Sequence, residues 1–553
     1  MNRRVREYLS AERQSPSTTM IVSLTIAATV VLLLLMNIRV GPYDESLVLE
    51  GAVEVGAGLV PHRDFFWTYG PLQLWIISGL FSVFGKTFIV ARLYDIVVRA
   101  FIVLLCGLTA RRFGARTGLV AGVMVAETVL LYATGFFLYP VFPSVMCALA
   151  GTLLLVDEGA DGNPSSGSLA GAGILTGLTA LFRYDIGFFL LVGQVMTLSM
   201  FCFDTRRPVR VLIWQIIRYG LGVAIAFLPV AIAAWVIGAI PAFFHDILTF
   251  PSHNYAYMRS LPWPRPGVTV DSLLPLVVYI PFLTAAAGLV WLVRTGPRFF
   301  ATTGPATGRK LAIALLFLTI MFVLKGLVRV SLVHSVLALV PALLLLAYLL
   351  SRKASDVIWL PTFVIVIFSC LLILLNALLA YLQEARGGFH DLFALRVVMS
   401  APMITQNGQC SDPPMLAPGL VDDDTKEAGC YIRSHTKPTD PIFVGAGRHD
   451  KIFAGNASLY FVSDRMPATH WYHLEPGLQT RSDVQHSIIE DLEKRRVNLI
   501  AIDRRFDNMD EPNGSAQSSR VQDLDRFIRT QYDIVAQFGD IAVMARRPNA
   551  LNR

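Results

Sequence analysis

The chain has 553 residues, of which 54% are hydrophobic and only 16% charged. Soluble globular chains carry roughly 25% charged residues, so low charge and long apolar runs exclude an ordinary soluble domain and point to a membrane protein. The net charge of +7 would fit a nucleic-acid binder, but arginines in short loops explain much of it through the positive-inside rule, and no nucleic-acid partner is expected.

The first apolar run, 20–38, follows Arg3, Arg4, Arg6 and Arg13. A signal peptide would have a shorter apolar stretch and a small-x-small exit, so this run reads as a retained helix. Further spans read at 88–108, 117–136, 139–156, 168–182, 186–203, 212–238, 272–293, 311–328, 333–350 and 358–381. That makes about eleven crossings, each near the 17–25 residues that hydrocarbon requires. With the N-terminus inside, the inner loops hold Arg111, Arg112 and Arg116, then Arg206, Arg207 and Arg210. Later inner loops hold Arg294, Arg298, Arg309 and Lys310, then Arg352 and Lys353. The outer connections are poorer in Lys and Arg. The inner loop at Asp157 and Glu158 is acidic, but acidic residues weigh little in this rule.

Pro71 to Phe84 is only 14 residues long. As a crossing it would move Arg111, Arg112 and Arg116 outside, so it reads as an interfacial or re-entrant helix. Residues 39–87 then form one outer loop with two short helices, roughly 44–57 and 71–84. A second outer loop, 239–271, is rich in Pro, His and aromatic residues; it suits the headgroup level or a lid.

Beyond residue 382 the composition turns polar. Within 383–553, "PIFVGAG" and "VNLIAID" read as buried strands, and "SLYFVSD" and "DIAVMAR" as shorter ones. "SDVQHSIIEDLEKRR" and "VQDLDRFIRTQYDIVAQF" read as helices between them. This alternation predicts a small α/β domain. An odd number of spans puts it outside, where Cys410 and Cys430 have the chance to pair. Cys106, Cys147, Cys202 and Cys370 lie in apolar segments as packing residues.

The same topology collects charged groups on the outer face. Asp44 and Glu45 follow the first span, Arg63 and Asp64 lie in "VPHRDFFWTYGP", Arg183 and Asp185 in "LFRYDIG", and Arg329 and His334 in "GLVRVSLVH". Loop charges that tie helices together are the ordinary explanation. Yet ionisable groups at membrane depth usually face a cavity or a partner. Arginine's planar fork suits phosphate, and a carboxylate beside it suits a general base. The combination fits an anionic, lipid-linked substrate. His62 could also titrate near neutrality. Phe65, Phe66, Trp67 and Tyr69 read as interface anchors rather than sugar-stacking platforms. His245, Asp246, His253 and Asn254 match no strong metal motif, and no metal or other cofactor is expected.

Several segments together resemble the GT-C polytopic glycosyltransferases, in particular the branch with the lipid A aminoarabinose transferase and the protein O-mannosyltransferases. The segments are the acidic pair in "GPYDESLVLEGAVEVGAG", "PHRDFFWTYGPLQLW" after Gly58, Phe84-Gly85 with Ala91-Arg92-Leu93, the stretch Ala110 to Gly114, and "GLTALFRYDIG". "GLVRVSLVH" is similar to an R-S-D-x-x-H pattern of some relatives, with Ser331 at the Asp position. The resemblance implies a mainly α transmembrane GT-C-like domain, 1–382, and an extracytoplasmic α/β domain, 383–553. It implies inverting transfer of a sugar from a polyprenyl-phosphate donor to a lipid, glycan or protein acceptor on the outer side of the plasma membrane. It makes Asp44 and Glu45 the catalytic candidates, Asp44 foremost as base. Arg63, Asp64, Arg183, Asp185, Arg329 and His334 become substrate-binding candidates. A flippase for a lipid-linked saccharide and a non-catalytic envelope assembly protein are the alternatives. A flippase should show inverted repeats or broken mid-membrane helices, and neither is evident in the sequence.

Overall fold

The computed structural model describes residues 16–33, 35, 39–157, 164–204, 207–265, 267, 274–295, 306–351 and 421–548. The expected span 358–381, the boundary at 382/383, Cys370 and Cys410 lie outside the described residues.

The N-terminal part is helical. Helix α1 (Thr18–Leu33) leads to two short helices, α2 (Asp44–Gly56) and α3 (Leu72–Phe84), close to where the first outer loop was expected to hold them. Then come α4 (Phe88–Arg112), α5 (Thr117–Ala133), α6 (Val141–Leu155), α7 (Ser166–Phe182), α8 (Tyr184–Asp204) and α9 (Val209–Val236). Four helical segments among the described residues are long and apolar enough to cross a membrane: Tyr184–Phe203, Val209–Val236, Leu276–Thr295 and Leu332–Ser351. Five other apolar helices are shorter, at 10–17 residues. Long α4 is less apolar because it carries Arg92, Asp95 and Arg99, all buried. Arg99 holds Asp95 at 2.6 Å and donates to the Thr134 hydroxyl at 3.0 Å, so these charges are compensated inside the bundle.

Local chemistry sets the helix ends and crossings. Thr87 caps α4 by accepting from the Val90 N–H, while Arg111 and Arg112 stand in its last turn, where cations suit the helix dipole. Helix α7 crosses α9 so closely that a Cβ at Gly173 would collide with the Tyr219 carbonyl oxygen; small residues permit such approach. On its outer side α9 exposes Trp214, Leu221, Ile225, Leu228 and Trp235, as a lipid-facing helix would.

The stretch 239–271, expected as a second outer loop, is largely helical where it is described. It is helical from Ile240 to Arg259: α10 (Ile240–Phe244), a π-turn (His245–Thr249) and α11 (Phe250–Arg259). A 3-10 turn (Leu274–Tyr279) then enters α12 (Ile280–Thr295), followed by α13 (Ala306–Gly326) and α14 (Leu332–Ser351).

The C-terminal domain contains α15 (Asp423–His435), β1 (Phe443–Ala446), α16 (Ser458–Ser463), α17 (Ser482–Lys494), β2 (Leu499–Asp503), α18 (Asp523–Gln531), β3 (Tyr532–Phe538) and β4 (Ile541–Arg546). Its sheet runs β1-β2-β4-β3. Strand β1 pairs parallel with β2 (Phe443 opposite Ile500), and the β2–β4 and β3–β4 pairs are antiparallel. Three of the four strand expectations hold. "SLYFVSD" is instead helix α16, with Ser458 through Ser463 all buried; a short apolar run does not distinguish helix from strand. The expected long helix at 521–538 ends at Gln531, and Tyr532–Phe538 becomes strand β3. Cys430 is disulfide-bonded, whereas Cys106, Cys147 and Cys202 are buried thiols outside any disulfide.

The domain is docked on one end of the bundle. Phe65, Phe66 and Trp67 are fully buried rather than anchored at a lipid interface. The Phe66 N–H donates to the His470 carbonyl at 3.0 Å, and its ring meets Phe250 and Trp471. Lys86 reaches Asp464 at 2.7 Å.

Candidate active site at the domain junction

Asp44 is the first residue of α2. Burial pushes its carboxyl above the usual carboxylate range; Arg259 opposes this, with smaller contributions from Glu475, His473 and Arg329. No side-chain hydrogen bond engages Asp44 among the described residues, in contrast to Glu45, Glu475 and Glu511. Its neighbour Tyr43 donates its hydroxyl to Glu475 at 2.7 Å. Arg259 grips the same Glu475 in a fork at 2.7 and 2.8 Å. Burial alone would raise the Glu475 carboxyl, but Arg259 and His473 hold it well below its ordinary value.

Glu45, the other half of the acidic pair, faces elsewhere. It is buried and takes Arg92 in a fork at 2.7 and 2.9 Å, with the Gly41 N–H as a further donor at 3.1 Å. Its two oxygens are therefore committed to joining α2 to α4.

Arg183 and Asp185 come together as expected. Arg183 holds Asp185 at 3.0 and 2.8 Å, donates to the Tyr139 hydroxyl at 3.3 Å and lies over the Tyr69 ring. Lys325, near the end of α13, approaches Asp185 at 3.4 Å. Gly70 makes this junction possible: its N–H donates to the Phe182 carbonyl at 3.1 Å, and a Cβ there would collide with the Leu181 carbonyl. The "YGP" of the first loop is thus pinned to the α7–α8 turn that bears Arg183.

Arg329 holds Glu511 at 2.8 and 2.5 Å and donates to the Arg259 carbonyl at 2.9 Å. His334 meets the Ser331 hydroxyl at 2.7 Å and stacks edge-on against Tyr139. Tyr255 of α11 lies within the field of Arg183, Arg329 and Arg259, and Asp44 acts on both Tyr69 and Tyr139. Asp44, Arg183, Asp185, Arg329 and His334 therefore share one polar region.

Arg63 and Asp64 stand apart from it. They hold each other at 2.7 Å in an exposed turn, and neither is among the charges acting most strongly on Asp44. Adjacent His62 is buried, at a φ of 71°, with its Nδ1 3.1 Å from Asp246. Among the described residues no group of His, Cys, Asp and Glu side chains is arranged to hold a metal.

Arg259, Glu475, His473, Glu511 and Lys325 were missed in the sequence. Lys325 had a usable signal, an ammonium inside an apolar helix. The others sit in polar segments among many charged residues, where nothing local marks them.

The description of a family profile, dolichyl-phosphate-mannose-protein mannosyltransferase, fits residues 68–235. Across nearly its whole length the chain is similar to ArnT from Cupriavidus metallidurans bound to undecaprenyl phosphate. The TM-score is 0.50 and the identity 16%, covering 96% of this chain and 99% of that one. At that identity the likeness shows a shared fold over nearly the whole chain. The arabinofuranosyltransferase AftD from Mycobacteria aligns at a TM-score of 0.48 and 15% identity, over 97% of this chain and 40% of its own. No curated protein matches in sequence. The matched segment contains Arg183 and Asp185. Asp44 precedes it, and Arg259, Arg329 and the C-terminal glutamates follow it, so the polar region extends well beyond the matched segment.

Proposed function

We propose that this protein is an inverting glycosyltransferase that moves a sugar from a polyprenyl-phosphate carrier to an acceptor of the cell envelope, on the outer side of the plasma membrane. The observation that carries the proposal is the uncommitted carboxylate of Asp44 beside Arg259 and Arg329. Asp44 takes the proton of the acceptor hydroxyl. The acceptor oxygen attacks the anomeric carbon from the face opposite the phosphate. The bond from that carbon to the phosphate oxygen breaks, its electron pair stays with the phosphate, and the lipid phosphate leaves. A phosphate leaving group needs little protonation but gains from fixed cations. Arg259, Arg329, Arg183 and Lys325 are the cations for that task, each now holding a carboxylate that an entering phosphate would displace or share.

Sidedness supports the reading. The docked domain, the first loop and α10–α11 share one end of the bundle. Arg112 lies at the other end, on the Leu153 carbonyl and Asp157, beside the basic connections expected to face the cytoplasm. The test is to incubate detergent-purified protein and membrane-extracted acceptors with a panel of polyprenyl-phosphate sugars and to measure free lipid phosphate. Release from at least one donor, lost in Asp44→Asn, is expected. Donor binding without release from any member of the panel would overturn the transferase assignment in favour of a carrier or flippase.

A further inference from the structure

A second polar site lies wholly within the C-terminal domain and shares no residue with the Asp44 region. A cleft of about 730 Å³ opens between the loop after β1, the loop after β2 and helix α18. Strands β1 and β2 are the parallel pair of the sheet, and their carboxyl ends both lead into it. In open sheets with parallel strands, ligands settle outside those carboxyl ends.

The walls are built to hold a shape. The Gly447 N–H donates to Asp507 at 3.0 Å, and a Cβ at Gly447 would displace that carboxylate, so the two loops cross closely at this glycine. Asp525 is locked by buried His449, which meets it through Nδ1 at 2.7 Å and through its backbone N–H at 3.1 Å. Arg448 is committed to Asp450, and Arg505 to Asp503 and Asp422.

Two cations differ. Arg504 and Arg529 line the cleft, are exposed, and form no ion pair among the described residues. Two uncommitted guanidinium groups favour a ligand anion, which they can bind through paired N–H donors. The same cleft carries fixed carboxylates, including half-buried Asp507, and the amides of Asn508 and Gln522. These disfavour a bare multivalent anion and favour hydroxyl groups, which both donate and accept. We propose that this cleft binds an anionic saccharide, a sugar bearing one phosphate or carboxylate among free hydroxyls. The charged group sits between Arg504 and Arg529, and the hydroxyls face Asp507 and the amides. This site stands independently of the transferase reading.

The test is calorimetric titration of the full-length protein in detergent at low ionic strength. The probes are glucose 1-phosphate, glucuronate, neutral glucose and inorganic phosphate. At least one charged sugar should bind about tenfold more tightly than glucose and than inorganic phosphate. Which of the two binds identifies the anion as phosphate or carboxylate. The double variant Arg504→Ala/Arg529→Ala should weaken that binding at least about tenfold with an unchanged melting midpoint, since both side chains are exposed. The proposal is overturned if neither charged sugar binds, if the double variant binds as well as the parent, or if inorganic phosphate binds as tightly as the sugar phosphate.

Discussion

Asp44 opens α2 with its carboxylate in the field of Arg259 and Arg329, while Glu45, one residue on, is closed against Arg92 at 2.7 Å. Successive helical positions point about 100° apart, so the two acids of one motif serve different neighbours. Asp44→Asn keeps the volume and removes the base. It should slow transfer about 100-fold or more at saturating donor with little change in melting midpoint. Glu45→Gln should do the reverse, because a buried Arg92 left without its carboxylate costs about 3–5 kcal/mol of stability. Rates normalised to folded protein, together with melting curves, separate the two; a Glu45→Gln variant that melts like the parent yet loses transfer would exchange the roles. Arginines divide in the same manner. Arg63→Lys alters an exposed pair and should leave donor affinity within about twofold, as exposed ion pairs contribute little. Arg259→Lys loses a fork inside the polar region and should weaken donor binding severalfold or more. Titrating both variants with a polyprenyl-phosphate sugar decides this, and equal losses would restore Arg63 to the site.

Helices α2 and α16 show how elements join the two halves. Glu50 and Glu54 lie one turn apart on α2, buried against the C-terminal domain beside Tyr460 and Tyr472. Burial pushes the Glu50 carboxyl up to about 8, only partly offset by Lys86, and burial together with Glu50 raises Glu54 as well. A raised carboxyl pKa means that the docked form holds the proton more tightly than the unfolded chain does. The associated stability is fully present below the ordinary glutamate value and is lost as pH rises from there through about 8. The melting midpoint should therefore fall between pH 5 and pH 8.5, and Glu50→Gln should flatten the slope. An unaltered slope in that variant would remove Glu50 from the linkage. The same junction explains why "SLYFVSD" is a helix: its six residues Ser458–Ser463 are buried on every side, Phe461 meeting Phe88 at 4.5 Å between ring centroids. Burial all round removes the periodic signal that would distinguish helix from strand.

At the scale of the whole molecule, the first loop, α10–α11 and the C-terminal domain form one continuous face. Ion pairs tie it together: Lys86–Asp464, Arg259–Glu475 and Arg329–Glu511. Helix α9 meanwhile turns an apolar surface outward. In a background without the native cysteines, a cysteine at position 260 should react with an impermeant thiol reagent on intact cells, and one at position 112 should not. Labelling at 112 but not at 260 would invert the topology and move the Asp44 region to the cytoplasm.

Local rules made much of this legible in the sequence. Apolar run length placed the bundle helices near their observed positions, except that the loop at 239–271 hid a helical stretch; in the C-terminal domain it missed α15 and α16. Charge bias gave an expected inside and outside, and run length set off 71–84 as a short helix, which α3 is. Three buried strands were readable because each is a brief apolar run between turns. The convergence of Asp44, Arg183, Asp185, Arg329 and His334 followed from topology alone. Their partners did not. Tyr43 meets Glu475 across 432 residues of sequence, and Arg329 meets Glu511 across 182. Such pairs are set by how the domain docks, and no local periodicity encodes which exposed carboxylate will meet which arginine. Tertiary structure likewise committed Glu45 to Arg92, left Arg63 with Asp64 and brought Arg259 to Asp44, because burial and distance select among residues that composition leaves equivalent.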